Sequence, residues 1–313
     1  MTDSKSARDA VNADPQLAGA PISWGVCEVP GWGLQLPAHR VLSEMRDLGL
    51  RATEAGAEGY LPEDGEELAR LLDDVELRLV GGFVPVVLHE PAALDRTLAR
   101  VRAQVERFAR AGGTVLVSAI VVDEAWSPRV PLSRDDWRRI GDGLARIDEL
   151  SAARGMFQAV HPHVGTLVQT RDDFERLLEA SDVRVCLDTG HFAIGEIDSP
   201  ALLRQASERV AHVHLKDVRA SIATQVAAGE STLRDATRRG LFVPLGEGDA
   251  PLAEVIHALA DAQYGGWYVL EQDAVIEAPE DETTPAADIR RSIDFLRTLG
   301  VGGELAARGA GGR

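Results

Sequence analysis

Short apolar runs alternate along this chain with longer stretches whose apolar residues recur every three to four positions. The short runs fall at residues 21–26, 51–55, 78–83, 115–119, 156–161, 183–188, 210–216 and 266–271. Each is bounded by polar or glycine-containing segments, so each predicts a strand. The longer stretches predict helices. Residues 40–48 place Val41, Leu42, Met45 and Leu48 on one face, and residues 92–111 place Leu94, Leu98, Val101, Val105 and Phe108 inward. Residues 135–154, 171–180, 200–206, 251–262 and 288–299 keep the same spacing. Strand followed by helix, repeated eight times with no break in composition, predicts an α/β fold: a closed (β/α)8 TIM barrel over residues 20–302. A doubly wound open sheet would want a glycine-rich phosphate loop after the first strand, and none is present.

The rhythm breaks once. Over thirty residues separate Lys216 from the helix that begins near Pro251. Residues 220–239 read as extra helix and residues 241–249 (LFVPLGEGD) as an extended loop. A helical insertion after the seventh strand lies over the barrel mouth, so it is a candidate lid or substrate wall. Residues 1–19 are polar, carry Asp3, Asp9 and Asp14, and lack the apolar core of a signal peptide, so a disordered lead-in is expected. Residues 303–313, rich in Gly and Ala, are expected to form a flexible tail.

Composition narrows the function. The chain has 313 residues, with 50 Asp and Glu against 33 Lys and Arg, a formal charge of −17. Such a surface repels nucleic-acid phosphates and anionic lipid, so neither nucleic acid nor membrane is an expected partner. No apolar run is long enough to span a bilayer. The two cysteines, Cys27 and Cys186, form no CxxC and no disulfide framework, which points to a reducing, cytoplasmic setting.

The candidate chemistry lies at the strand ends. The fifth strand ends in His161-Pro162-His163 and the sixth in Asp188-Thr189-Gly190-His191. The seventh carries His212, His214 and then Lys216-Asp217, the eighth ends in Glu271-Gln272-Asp273, and the second ends in Glu54. Burying unpaired carboxylates costs several kcal/mol each, and a divalent cation removes that cost. Mixed His and carboxylate ligation suits Mn²⁺, Fe²⁺, Co²⁺ or Zn²⁺ better than Ca²⁺. His161, Asp188, His214 and Glu271 are the candidate metal ligands. Each also has a plainer reading: Asp188 as a helix cap, Glu271 as a partner of an arginine, Glu54 as a solvated strand end, His163 as a turn residue. His212 shares a face with His214 and can pack in another layer. Lys216 shares that face too, whereas Asp217 points toward the helices. Trp24, Trp32 and Trp267 fit core or rim packing, with Trp32 the best placed to line a pocket.

The runs HPHVGTLVQT (161–170), CLDTGH (186–191) and HVHLKDV (212–218) resemble the xylose-isomerase-like barrel superfamily of sugar isomerases, keto-sugar epimerases and inosose dehydratases. The resemblance spans residues 21–299 and leans toward the myo-inosose-2 dehydratases. The opening PISWGVCEVPGWG, the insertion GESTLRDATRRGLFVPLGEGD and the ending VLEQD carry that choice. It implies Asp188, His214 and Glu271 as metal ligands, with His161 where the epimerases usually place a glutamate. It puts His191 and Lys216 beside the substrate. The loop Pro244-Leu245-Gly246-Glu247-Gly248-Asp249 departs from the group's tighter Pro-Gly-Asp-Gly, which bears on the substrate more than on the fold.

The resemblance implies a metal-dependent lyase that dehydrates an inosose, a 2-keto-myo-inositol-like polyhydroxy ketone, through a metal-stabilised enediolate. Mn²⁺ or Co²⁺ is the expected ion, with Zn²⁺, Fe²⁺ and Mg²⁺ left open. Glu271, His191, Lys216 and Glu54 are the candidate catalytic groups, and His163, Trp32 and Arg219 the candidate substrate contacts. The same site supports a keto-sugar or inosose isomerase or epimerase as the alternative. A DNA-repair endonuclease is opposed by the −17 charge, and a non-catalytic sugar binder has no need of a stoichiometric transition metal. Barrels of this kind often self-associate, so a homo-oligomer is a further expectation.

Overall fold

The computed structural model describes residues 16–29 and 31–302. The chain runs β1 (Gln16–Gly19), α1 (Ala38–Asp47), β2 (Ala52–Thr53), α2 (Gly65–Asp74), β3 (Arg78–Leu79), β4 (Gly81–Val86), α3 (Pro91–Arg110), β5 (Val115–Ile120), α4 (Arg134–Ala152), β6 (Phe157–Val160) and α5 (Arg171–Ala180). It continues through β7 (Val185–Asp188), α6 (Thr189–Ile194), α7 (Ser199–Ala206), β8 (Val210–Leu215), β9 (Asp217–Val218), α8 (Ala220–Ala227), α9 (Leu233–Arg238), β10 (Phe242–Val243), α10 (Leu252–Asp261), β11 (Trp267–Leu270) and α11 (Thr284–Thr298).

Nine of these strands form one parallel sheet in the order β3-β2-β1-β11-β8-β7-β6-β5-β4. Its two ends, β3 and β4, are one extended stretch interrupted at Val80, so nine segments fill eight barrel positions. Val80 makes the joint: its N–H donates to Thr53 O (2.9 Å), and its carbonyl accepts from Thr114 N (2.9 Å) and Val115 N (3.1 Å). Ala55 N donates to Gly81 O at 2.9 Å and completes the ring. Glycine is required there, because a Cβ on Gly81 would stand 1.8 Å from Val115 O. The fold is therefore the expected (β/α)8 barrel.

The first strand corrects the sequence reading. Residues 21–26 are not a strand: Pro21–Trp24 is a 3-10 turn ended by Gly25 at φ 76°. The strand is Gln16–Gly19, paired parallel with both β2 and β11. Pro21 lacks an N–H for a ladder and has the fixed φ that opens a helical turn, so its apolar neighbours were misleading. The barrel thus begins inside the stretch expected to be a disordered lead-in. The rest of that lead-in, residues 1–15, and the expected tail, residues 303–313, lie outside the described residues.

Two cores follow from strand alternation. Alternate residues such as Val160, Leu187, Val213, Leu215, Tyr268 and Leu270 point outward and pack with helix faces that include Leu42, Met45, Val101, Ile140 and Leu259. The inner set is small: Ala18, Ala20, Ala52, Val80, Val115, Val117, Ala159, Cys186 and Val269. Helix α2 went unread, although Asp64 caps it by accepting from Glu66 N and Glu67 N, and Leu68 and Leu72 face inward four apart.

The post-strand insertion is tied down. Strands β9 and β10 pair antiparallel. Val218, Ala223, Val226, Ala236, Leu241 and Phe242 bury a small satellite core with Val164 and Ile194. Asp217 is the anchor. Its Oδ2 accepts from Gly246 N (2.8 Å) and Gly248 N (3.0 Å), and its Oδ1 from Val218 N (2.9 Å) and Ala250 N (3.0 Å). Of the two readings, wall and lid, this bonding favours the wall.

Candidate metal and substrate site

Period-two alternation explains where the polar side chains go. Two residues beyond an inward small residue, the next inward position meets the C-terminal mouth of the barrel. Ala52 is followed by Glu54, Ala159 by His161, Cys186 by Asp188 and Val269 by Glu271. On β8 the inward positions are His212 and His214, with Lys216 just beyond. The inner core is thus the floor of the site, and the chemistry stands one layer above it, as the barrel architecture requires.

Asp188 organises the centre and serves two purposes with two oxygens. Its Oδ1 caps α6, accepting from Gly190 N and His191 N at 2.8 Å each. Its Oδ2 faces the site, 3.3 Å from His161 Nε2, 3.6 Å from His214 Nδ1 and 3.7 Å from Lys216 Nζ. The cap, one of the two readings on sequence, is made by Oδ1 and leaves Oδ2 free to face the other polar side chains. The rest of the DTGH run supports Lys216. Thr189 Oγ1 donates to Lys216 O (2.7 Å) and accepts from Lys216 N (2.8 Å). A Cβ on Gly190 would lie 2.7 Å from Lys216 Cγ, so glycine leaves room for the lysine stem. His191 Nε2 sits 3.3 Å from Nζ.

Lys216 is 1% exposed and faces three carboxylates. Its Nζ lies 2.7 Å from Asp273 Oδ1 and 2.9 Å from Glu271 Oε2, with Asp188 Oδ2 beyond. Burial works against its charge, but Asp273, Glu271 and Asp188 outweigh it and hold the ammonium well above its usual range. Glu271 Oε2 also lies 3.1 Å from His214 Nδ1. Burial raises the Glu271 carboxyl, yet His214 and Lys216 bring it down to about 2. Asp273 goes the other way: burial outweighs Lys216, and with Glu271 nearby it rises to about 6. Asp273 was noted on sequence only as part of the strand end; its partner lies 57 residues away.

Three other imidazoles of the site are pushed below their usual range. Burial first, then His163 and Lys216, push His191 well below its usual range. Burial first, then His161 and Lys216, take His163 down to about 3. His163 Nδ1 donates to Val164 O at 2.7 Å, and its ring lies 3.8 Å from that of His191. Burial likewise lowers His161.

Walls come from both sides. Phe83 of β4 stacks on Trp126 at 6.2 Å and meets His161 edge-on at 6.1 Å. Trp126 holds φ 57°, an uncommon angle for a bulky residue. From the insertion, the Phe242 ring lies 4.9 Å from Lys216 Nζ and 6.2 Å from the His191 ring. None of these three aromatics stood out on sequence, because an apolar residue in a strand or loop does not announce which neighbour it will face.

Three expectations move. Arg219, expected at the substrate, is exposed and donates to Gly240 O at 3.0 Å, clipping the insertion. Trp32 is buried and spends its indole N–H on Ala274 O at 2.8 Å, so it braces the loop after β11. Glu54, expected among the catalytic groups, is 3% exposed and bonded to two imidazoles, with no part in the carboxylate group around Lys216.

The donors fit a divalent ion. Asp188, His214 and Glu271 each offer one ligand atom within 4.8 Å of the others, and His161 joins Asp188 and His191 in an overlapping group of the same size. His161 Nδ1 and His214 Nδ1 are buried with no hydrogen-bond partner. Three buried carboxylates, Asp188, Glu271 and Asp273, face one ammonium, that of Lys216, and a fourth, Glu54, faces two imidazoles. Two positive charges would offset most of that excess, and neutral imidazole with carboxylate is a donor set for Mn²⁺, Fe²⁺, Co²⁺ or Zn²⁺.

Known proteins carry similar chains. The chain is 31% identical over 274 residues to the inosose dehydratase of Geobacillus kaustophilus (strain HTA426), covering 83% of this chain and 88% of that one. In three dimensions it resembles L-ribulose 3-epimerase with a TM-score of 0.66 at 17% identity, over 91% of this chain and 94% of that one. It also resembles the IOLI protein, solved with a bound zinc atom, with a TM-score of 0.66 at 15% identity over 91% and 97% of the two chains. The profile of the xylose isomerase-like TIM barrel matches residues 42–299. This chain therefore belongs to the xylose isomerase-like TIM barrel family, with inosose dehydratases among its relatives.

Proposed function

We propose that this enzyme dehydrates an inosose, a cyclic polyhydroxy ketone, at the mouth of its barrel. The observation that carries the reading is the buried donor cluster: Asp188, His214 and Glu271 each present a ligand atom within 4.8 Å of the others, where three carboxylates face the one lysine. The 31% identity to an inosose dehydratase supports the substrate class.

Asp188, His214 and Glu271, with His161, would hold the ion, and Mn²⁺ or Co²⁺ is our assignment. When bound, the ion supplies Lewis-acid polarisation of the ketone oxygen and the neighbouring hydroxyl. The chain's own groups handle the protons. Glu271 is the base: the Lys216 ammonium, 2.9 Å from Oε2, keeps the carboxyl ionised. It takes the proton from the carbon beside the ketone. Lys216 is the acid: its ammonium protonates the hydroxyl on the next carbon, which leaves as water. Asp273 and His191 aim the lysine, at 2.7 and 3.3 Å from Nζ. Phe83 and Trp126 on one side and Phe242 on the other keep water from the reacting carbons.

The test is product mass. Incubated with 2-keto-myo-inositol and Mn²⁺, the enzyme is expected to yield a product lighter by one water, and a chelator stops the loss. A product of unchanged formula that acquires deuterium from solvent would overturn dehydration in favour of the isomerase or epimerase reading.

A further inference from the structure

Glu54 is the one inward carboxylate that does not meet Lys216. Its Oε1 lies 2.8 Å from His212 Nε2 and 2.9 Å from His214 Nε2. All three side chains are buried. A carboxylate only accepts, so both imidazoles donate their Nε2–H to this one oxygen. Burial works against charge on His214, but Glu271 and Glu54 among its neighbours outweigh it and raise the ring well above its usual range; an ion that displaces the Nδ1 proton leaves the Nε2–H in place and takes the Nδ1 lone pair. His214 Nδ1 is the atom that points at Asp188 and Glu271, and it has no hydrogen-bond partner among the described residues.

We propose that Glu54 is a positioning residue that fixes His214 in the Nε2–H tautomer and turns its Nδ1 lone pair toward the ion. It does not touch substrate. The proposal rests on the reading that Asp188, His214 and Glu271 hold a metal. His212 is the second half of the device. By donating to the same oxygen it holds the carboxylate in one rotamer, so that His214 finds its acceptor in a fixed place. A competing arrangement exists on paper, because Glu54, His212 and His214 themselves present ligand atoms within 4.8 Å. The short nitrogen–oxygen distances argue against it. Both Nε2 atoms already spend their protons on the oxygen that would have to bind the cation, and His214 Nδ1 would be left idle.

The experiment uses the full chain, stripped with chelator and titrated with Zn²⁺ against a chromophoric competitor. Long-range ¹H–¹⁵N spectra of the imidazoles are recorded before and after loading. We expect one tightly bound ion per chain, a His214 proton on Nε2, and a metal-shifted His214 Nδ1. Glu54→Gln keeps the volume of the side chain, and it is expected to weaken Zn²⁺ binding by about 10–100-fold. Glu54→Asp is expected to recover part of that loss if the shorter acid still reaches His214. Two bound ions, one of them lost in Glu54→Gln, would overturn the proposal by making Glu54 a ligand. So would metal-loaded wild-type spectra with the His214 proton on Nδ1 and none on Nε2, which need no variant to fold. Undiminished Zn²⁺ affinity in Glu54→Gln would also overturn it. Undiminished affinity in Asp188→Ala marks a different failure, that of the underlying metal assignment.

Discussion

From β1 to β5 the strand ends are mainly apolar, with Ala20, Val87, Leu88 and Val121 buried and Glu54 the one buried carboxylate among them. From β6 to β11 they offer His161, Asp188, His214, Lys216, Glu271 and Asp273, all buried. The first half could be kept for packing alone. The second half is costly to fold, because each buried charge must recover a desolvation penalty of several kcal/mol from its neighbours. Such a concentration of cost on one side of an otherwise regular barrel marks the place where local rules yield to chemistry. On the proposed function it also divides the labour: one half would supply ligands and proton carriers, the other a wall and the single acid that steadies His214.

The sharpest way to break this comparison is Asp188→Ala. It removes the shared neighbour of His161, His214 and Lys216, and turnover should fall by at least about 10³-fold, the equivalent of several kcal/mol of lost transition-state stabilisation. Phe83→Leu in the other half should change turnover by less than about tenfold. Steady-state kinetics on both variants, with metal content measured on the same samples, checks the contrast. Similar losses in both would erase it.

Lys216→Met is the next largest. With the acid removed, kcat should drop about 10²-fold or more while bound metal persists. Metal loss equal to the loss of rate would make Lys216 structural.

Asp217→Ala tests the neighbouring charge, which builds the wall and does no chemistry. Four backbone N–H groups lose their acceptor, and unfolding in urea should show a loss of about 2 kcal/mol or more. Limited proteolysis should then cut within residues 219–249. An unchanged midpoint and an intact insertion would contradict the anchoring role.

The smallest effect is the pH dependence of stability in the chelated protein. Glu271 falls from its ordinary 4.5 to about 2 on folding. A depressed acid stabilises above its unfolded value, and that contribution is lost as pH falls from 4.5 toward about 2. Thermal melts across that window should decline, and Glu271→Gln should decline less steeply. Equal slopes would mean that the carboxylate is not held ionised.

Much of this was legible in the chain, for a reason that also sets the limit. Strand alternation is a local rule, so His161, Asp188, His214 and Glu271 could be aligned from spacing alone, and the helix cap of Asp188 was visible too. Partners are not local. Glu54 meets its two histidines across 158 and 160 residues, so its role could not be told from a solvated strand end. Asp217 was read as turned away from the site, yet nothing in HLKD announced the backbone it would hold 29 to 33 residues later. The strand Gln16–Gly19 has no apolar pattern of its own and exists because β2 and β11 flank it. Arg219 misled because its charge was visible and its direction was not.

The most direct test is anomalous diffraction from crystals grown with Mn²⁺ or Co²⁺, collected at the metal edge. One peak is predicted between the Asp188 and Glu271 carboxylates and the Nδ1 atom of His214. A peak among other side chains, or no peak at saturating metal, would contradict the account.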